Sequence, residues 1–400
     1  MTIRIRTKTR QDMSYIWNLP TKVMFGAGMV RELGKQEMPG KRALLVISNG
    51  KSARTNGGLD IVSEELRKAG VEVTLFDKIC ANPTVPILTE GINAARANHC
   101  DFIVGLGGGS VLDAVTVIAA VTPQEEGGVW DYIQGGTGGK KPLRQKSLPY
   151  IEITTSAGTG SEVDRWGVVT NPDTHEKIGF EGDYAQIAVV DPELTLTVPP
   201  AFTAYQGFDA LFHSVEGFVS KCCNEAAEMV EMAAIENIAR YMPIAVHEGH
   251  NLEARTMMAF ANTMSGYSME LSSCTSEHSM EHAMSGHHQE LPHGAGLIMI
   301  SKAYFTKWIE QHVCDDRFVT MAVAMGKKDA TRPMDFIDAL CSLQQSCGVD
   351  QLRMSDYGIS PSEFPTLARD AKATMGGLFA CDRFGMSDEE VAAIYQASYK

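Results

Sequence analysis

Asp209-Ala-Leu-Phe-His213 sets a carboxylate and an imidazole four residues apart, which on a helix is one face. Glu277-His-Ser-Met-Glu-His282 spaces His278 and His282 in the same way, and Leu291-Pro-His-Gly294 adds His293. Five of the chain's 11 histidines fall between positions 278 and 293. A solvated histidine patch has no reason to keep helical spacing, whereas a metal site does. Three imidazoles and one carboxylate make an N₃O donor set suited to Fe²⁺ or Zn²⁺. Five histidines exceed what one ion needs. His287 and His288, with no regular spacing to the others, are expected at the rim or surface.

Two loops could hold a phosphorylated ligand. Gly105-Leu-Gly-Gly-Gly-Ser-Val-Leu-Asp113 follows a strand-like run and opens a helical pattern. Glycines there let the backbone approach a diphosphate, and the helix end offers free N–H groups. The glycines do not fall at the first, third and sixth positions of the usual dinucleotide fingerprint, so a tight turn is the competing reading. Asp113 lies too deep in the helix to cap it and could bond loop amides or a ligand hydroxyl. Ile153-Thr-Thr-Ser-Ala-Gly-Thr-Gly-Ser-Glu162 is dense in hydroxyls and glycine. It could bond phosphate or carboxamide groups, or simply cap a helix with Glu162 in the first turn. No Gly-x-Ser-x-Gly nucleophile elbow occurs there.

Strands and helices must position these residues. Ala43–Ser48, Val71–Phe76 and Phe102–Leu106 read as strands, and Leu59–Lys68 and Pro86–Ala97 as helices. Such alternation implies a parallel sheet covered by helices. Beyond Val198-Pro199-Pro200 strand-like runs are scarce. Helical patterns occupy 225–240, 252–272, 275–286, 294–308, 317–325, 334–346, 361–373 and 387–399. The expected division is an α/β domain over 1–198 and an all-α domain over 199–400.

Composition is that of an ordinary globular protein. The 400 residues are 44% hydrophobic and 21% charged, which supports sizeable cores and excludes disorder of the whole. A formal charge of −14 argues against nucleic-acid binding. No apolar run reaches the roughly 20 residues of a spanning helix, and the basic start Met1–Arg10 lacks the apolar core of a secretion signal. The cytoplasm is the expected compartment, with no membrane partner. Nine cysteines without a Cys-x-x-Cys point to reduced, mostly buried thiols rather than a disulfide framework. Cys222 and Cys223, adjacent on a helical pattern, are expected to face different ways.

With these motifs in hand, the sequence resembles the iron-dependent (group III) alcohol dehydrogenases. The residues that carry the resemblance are Gly107–Asp113, Ala157–Glu162, Val190-Asp-Pro192, Asp209–Glu216 and Pro292-His-Gly294, with Phe25–Gly28 and Asn82-Pro-Thr84 as further similar stretches. Their order is preserved from about residue 16 to beyond 310. The resemblance implies an N-terminal α/β domain that binds a nicotinamide dinucleotide, a helical C-terminal domain, and a cleft between them holding one divalent metal. By position, Asp209, His213, His278 and His293 match metal ligands. His282 matches a histidine beside the metal and nicotinamide. Gly108, Gly109, Ser110 and Asp113, with Thr155, Thr159 and Lys177, match cofactor contacts. The implied reaction is reversible hydride transfer between a primary alcohol, or its aldehyde, and NADP or NAD, with Fe²⁺ or Zn²⁺ as Lewis acid. A homodimer is the expected assembly.

Three departures stand out. The family's Asp-x-x-Lys continuation is Asp113-Ala-Val-Thr116 here, so that lysine is absent. The stretch from His282 to His293 is one residue longer than in some members. Where many members carry an acid for the adenosine ribose, this chain has Ser48-Asn49-Gly50-Lys51. Asn49 would not repel a 2′-phosphate and Lys51 could pair with it, which favours NADP while tolerating NAD. A glycerol or diol dehydrogenase is the nearest variant. A lyase resembling dehydroquinate synthase would need a Lys/Arg cluster around a phosphorylated acid, and none lies near the histidine segment.

Overall fold

The computed structural model describes residues 15–400; the basic stretch Met1–Arg10 lies outside the described residues. The strands are β1 (Lys22–Phe25), β2 (Arg42–Ser48), β3 (Glu72–Ile79), β4 (Phe102–Gly107), β5 (Tyr150–Thr154), β6 (Trp166–Asn171), β7 (Glu176–Glu181) and β8 (Ile187–Val190). The helices of the first half are α1 (Ser52–Thr55), α2 (Gly58–Lys68), α3 (Val85–Ala97) and α4 (Gly109–Val121). Those of the second half are α5 (Pro200–Val219), α6 (Glu225–His247), α7 (Leu252–Leu271), α8 (Ser276–His287), α9 (His293–Glu310), α10 (Asp315–Ala324), α11 (Asp335–Ser346), α12 (Phe364–Phe379) and α13 (Asp388–Ser398).

Six strands form one parallel sheet in the order β1-β8-β5-β4-β2-β3, and β6 and β7 form a separate antiparallel pair. Alternation along β2 explains why the sheet is covered on both faces. Leu44 and Val46 enter one apolar core with residues of α3 and α4, while Ala43, Leu45 and Ile47 enter another with residues of α2. All five are fully buried. Each buried Leu, Ile or Val contributes about 1.5–3 kcal/mol, so a polar residue anywhere in this run would disrupt one core or the other. Buried Asp191 ties the end of β8 to the turn after β1, accepting the Gly28 amide at 3.1 Å and the Val30 amide at 3.0 Å.

The second half is helical, with Pro200 at the start of α5, where its missing N–H loses nothing. Residues 207–219 of α5 and 276–286 of α8 are buried on all sides. Helices enclosed in this way are apolar except where a polar side chain has a partner. They nonetheless carry Asp209, His213 and Glu216 on α5 and His278, Glu281 and His282 on α8. Two carboxylates hold the start of α8: Glu216 accepts the Thr275 amide at 2.8 Å, and Asp382 accepts the Ser276 amide at 3.1 Å. Anions at a helix N-terminus are favoured by its dipole. Cys222 and Cys223 are not helical. They lie in the turn between α5 and α6, because Asn224 caps α6 by accepting the amides of Ala226 and Ala227.

Candidate active site

Three helices converge on one carboxylate. Asp209 Oδ1 lies 3.6 Å from His213 Nε2, 3.4 Å from His278 Nε2 and 3.5 Å from His293 Nε2. The corners of a tetrahedral site with bonds of 2.0–2.1 Å are about 3.4 Å apart, so these separations match a shared divalent ion. Asp209, His278 and His293 place their donor atoms within 4.8 Å of one another; His213 makes a similar group with Cys274 and His278. Gly294 lets α9 start this close to α5, since a Cβ there would sit 2.1 Å from the Tyr205 carbonyl oxygen. Asp209, His213 and His278 are each at most 6% exposed, whereas the His293 side chain keeps 22%, so access to the centre is on the His293 side.

Two members of the cluster, Asp209 and His213, are held in the forms that ligate metal. Burial alone would raise the Asp209 carboxyl, but His213, His293 and His278 outweigh it and hold Asp209 well below the usual range. Burial pushes His213 down to about 3, keeping it in the neutral form that ligates metal. Two further carboxylates orient the imidazoles. His278 Nδ1–H donates to Glu216, and His293 Nδ1–H donates to Glu281, which fixes each Nε2 toward Asp209. The sequence reading assigned neither carboxylate. Their signal was available: Glu216 stands three residues after His213 and Glu281 three after His278, on shared helix faces.

His282 adjoins this centre without reaching Asp209's oxygen. Its ring centroid is 5.2 Å from that of His293, and its Nδ1 meets the sulfur of Met375, where α12 is kinked (φ −126°, ψ 39°). Burial, with Lys177 and His293 nearby, holds His282 well below its ordinary pKa. Lys177, on β7, bonds Ser285 Oγ at 2.9 Å and faces Glu281 at 3.5 Å, which places it on the metal side of the cleft. His287 pairs with Asp370 at 2.7 Å and His288 with Glu363 at 2.6 Å, both half-buried at the rim.

A second cluster sits at the C-terminal ends of β4 and β5. The Thr155 amide donates to the Gly107 carbonyl at 2.9 Å. A Cβ on Gly109 would lie 2.3 Å from Thr159 Cγ2, and one on Gly108 would lie 3.2 Å from Ser156 Oγ. The two loops thus form one wall, with Gly108, Gly109 and Ser110 half-buried at the opening turn of α4. Asn262 of α7 anchors this wall, accepting the Gly160 amide at 3.0 Å and donating to Glu162 at 2.9 Å. Glu162 therefore clasps the two halves of the chain rather than capping an α-helix. Asn49 and Lys51 lie exposed just past the end of β2, the neighbour of β4. From β2 the chain passes to β3 on one side and then to β4 on the other, and parallel sheets bind ligands at such reversals. Glycine backbone, hydroxyls and a helix N-terminus at one strand edge fit a dinucleotide diphosphate. Asp113 is buried on α4, and burial pushes its carboxyl up to about 7. Thr116, where the family's lysine would be, faces buried Glu152 at 3.4 Å.

Residues 20–192 match the family model for iron-containing alcohol dehydrogenase, and residues 203–399 match that for the C-terminal part of the Fe-containing alcohol dehydrogenase family. The chain is 32% identical over 393 residues to 1,3-propanediol dehydrogenase of Klebsiella pneumoniae, covering 95% of this chain and 98% of that protein. It is 35% identical over 290 residues to choline dehydrogenase of Bacillus subtilis, covering 72% and 71%. The crystal structure of an archaeal halo-thermophilic alcohol dehydrogenase from a Red Sea brine pool superposes with a TM-score of 0.90 at 31% identity, over 96% of this chain and 99% of that one. With both halves of the chain matched and the histidine cluster in place, the chain belongs to the iron-containing alcohol dehydrogenase family, metal- and nicotinamide-dependent oxidoreductases.

Proposed function

We propose that this chain interconverts a small primary alcohol or diol and its aldehyde, using residues 1–198 to hold the dinucleotide and residues 199–400 to hold metal and substrate. The observation that carries the reading is the approach of three imidazole Nε2 atoms to within 3.6 Å of one carboxylate oxygen. Asp209, His213, His278 and His293 would hold the metal, and Gly108, Gly109, Ser110, Asp113, Thr155 and Thr159 would line the dinucleotide site. When bound, a divalent metal supplies Lewis acidity at the substrate oxygen and the nicotinamide carries the hydride. The chain's own residues do the rest. Burial of the ligand helices excludes water and strengthens the local field. Neutral His282, beside His293, is placed to order the nicotinamide or to pass the alcohol's proton on to solvent. Lys177, Glu281 and Ser285 keep His293 oriented.

Relatives named for 1,3-propanediol and choline support a small hydroxylated substrate. Some relatives are named as NADH-dependent. The exposed Asn49 and Lys51 support acceptance of NADP here as well. Strand β1 is an edge of the sheet, flanked by exposed Ile16 and Trp17, and a second copy covering it would make a homodimer. The test is a panel of alcohols, diols and aldehydes assayed with NADH and NADPH after loading with Fe²⁺ or Zn²⁺, with light scattering for the assembly. Turnover of small alcohols only after metal loading supports the reading. Turnover unaffected by metal removal would overturn it.

A further inference from the structure

We propose that Cys222 and Cys381 form a reversible disulfide, a redox modification site at the outer end of the helical half. Their sulfurs lie 3.5 Å apart although the residues are 159 positions apart in sequence. The flanking backbones are pinned together. The Lys221 amide donates to the Cys381 carbonyl at 3.0 Å, and Arg383 donates to the carbonyls of Val219 and Ser220 at 2.6 and 2.8 Å. Rotation of the two side chains is the movement that would close the sulfurs from 3.5 Å to a bond of about 2 Å.

Access singles out Cys222, and proximity singles out its partner. Cys222 is exposed, Cys381 is half-buried like Cys80, Cys314 and Cys341, and Cys223, Cys100, Cys274 and Cys347 are buried. Cys223, next in sequence, points inward, with its sulfur 3.3 Å from the Glu231 carboxylate. Burial raises the Cys381 thiol, so the exposed Cys222 is the sulfur that reacts first.

The oxidant is a low-molecular-weight disulfide such as oxidised glutathione. The Cys222 thiolate attacks one of its sulfurs, forming a mixed disulfide and releasing one glutathione thiolate. Cys381, after losing its proton, attacks the Cys222 sulfur and releases the second glutathione. Two protein thiols lose two protons and two electrons, and the small disulfide becomes two thiols. The new bond joins the end of α5, which carries Asp209, His213 and Glu216, to the residue preceding Asp382, whose carboxylate holds the start of α8. It clamps two ligand-bearing helices from outside without touching the site.

The test compares the metal-loaded protein with its Cys222→Ser and Cys381→Ser variants after incubation with oxidised glutathione, by mass spectrometry of unreduced peptides and by thermal unfolding. The expected result is a peptide pair linked through Cys222 and Cys381, lost on reduction and absent from both variants. Cys381→Ser should instead retain a glutathione adduct on Cys222. Closing so long a loop should raise the Tm of the oxidised protein by about a few degrees, reversibly, with no rise in either variant. A stable adduct on Cys222 of the unsubstituted protein, a bridge to another cysteine, or no reaction would overturn the proposal. A bridge that leaves the Tm unchanged would overturn the clamp.

Discussion

At the scale of single residues, Asp209 and His282 stand in different positions toward the metal, and the difference is measurable. Asp209 Oδ1 is the point at which three imidazoles meet. Asp209→Ala or His278→Ala should lose bound metal and nearly all turnover, while dinucleotide binding, followed by fluorescence titration, survives. His282 lies beside that point. A permanent fifth ligand there would block the coordination position that substrate needs. His282→Ala should therefore keep metal near one per chain, lose about 10²–10⁴-fold in rate, and change the pH–rate profile. Metal loss equal to that of His278→Ala would make His282 a ligand. Glu216 works through its neighbour: it accepts from His278 Nδ1 and from the Thr275 amide. Glu216→Gln should weaken metal binding about 10–100-fold in chelator competition, because the carboxylate both orients the ring and raises its basicity.

Elements decide which of these residues can meet. Helices α5 and α8 are enclosed, so their polar faces are forced against each other or left unpaired at a cost of about 1–3 kcal/mol per group. The short parallel strands act in another way, ending together and presenting their following loops on one edge. Thr155 and Gly107 are joined there across β5 and β4, and Asn49 follows the adjacent β2. A carboxylate at Asn49 would accept from a ribose 2′-OH and repel a 2′-phosphate. Asn49→Asp should shift the ratio of kcat/KM values for NADH and NADPH toward NADH, with metal content unchanged. A ratio that does not move would remove Asn49 from the ribose.

Across the whole molecule, buried carboxyls away from the metal make stability depend on pH. Glu231 is fully buried in α6, bonded by Ser268 at 2.9 Å, and burial pushes its carboxyl up to about 8 from 4.5. Glu162, in the clasp between the halves, and Asp382, at the start of α8, are pushed up to about 7, also by burial. A raised carboxyl favours the folded state in its protonated form. That contribution is full below the unfolded pKa and is lost as pH rises through the folded value. Between about pH 4.5 and 8 the Tm contribution of Glu231 should therefore decline with rising pH. Glu231→Gln should flatten that decline, measured by thermal unfolding across the range. An unchanged slope would mean that Glu231 is ionised in the fold.

Periodicity and composition were enough for the α/β half, the helical half and nearly every helix in it, because the 3.6- and 2-residue patterns are local properties of the chain. The same spacing paired Asp209 with His213 and His278 with His282, each within one helix. That the two pairs and His293 meet at a single oxygen is decided by the packing of α5, α8 and α9. So are the carboxylates behind the imidazoles, although Glu216 and Glu281 stood on the right faces. Lys177, read from sequence beside the cofactor, has Ser285 and Glu281 as neighbours because the β6–β7 hairpin lies against α8. The helical reading of Cys222 and Cys223 gave way to a turn, and nothing local relates Cys222 to Cys381. A side chain's face follows from its few neighbours in sequence, but its partner follows from how all the helices fill one core, where each contact depends on the shape of every other.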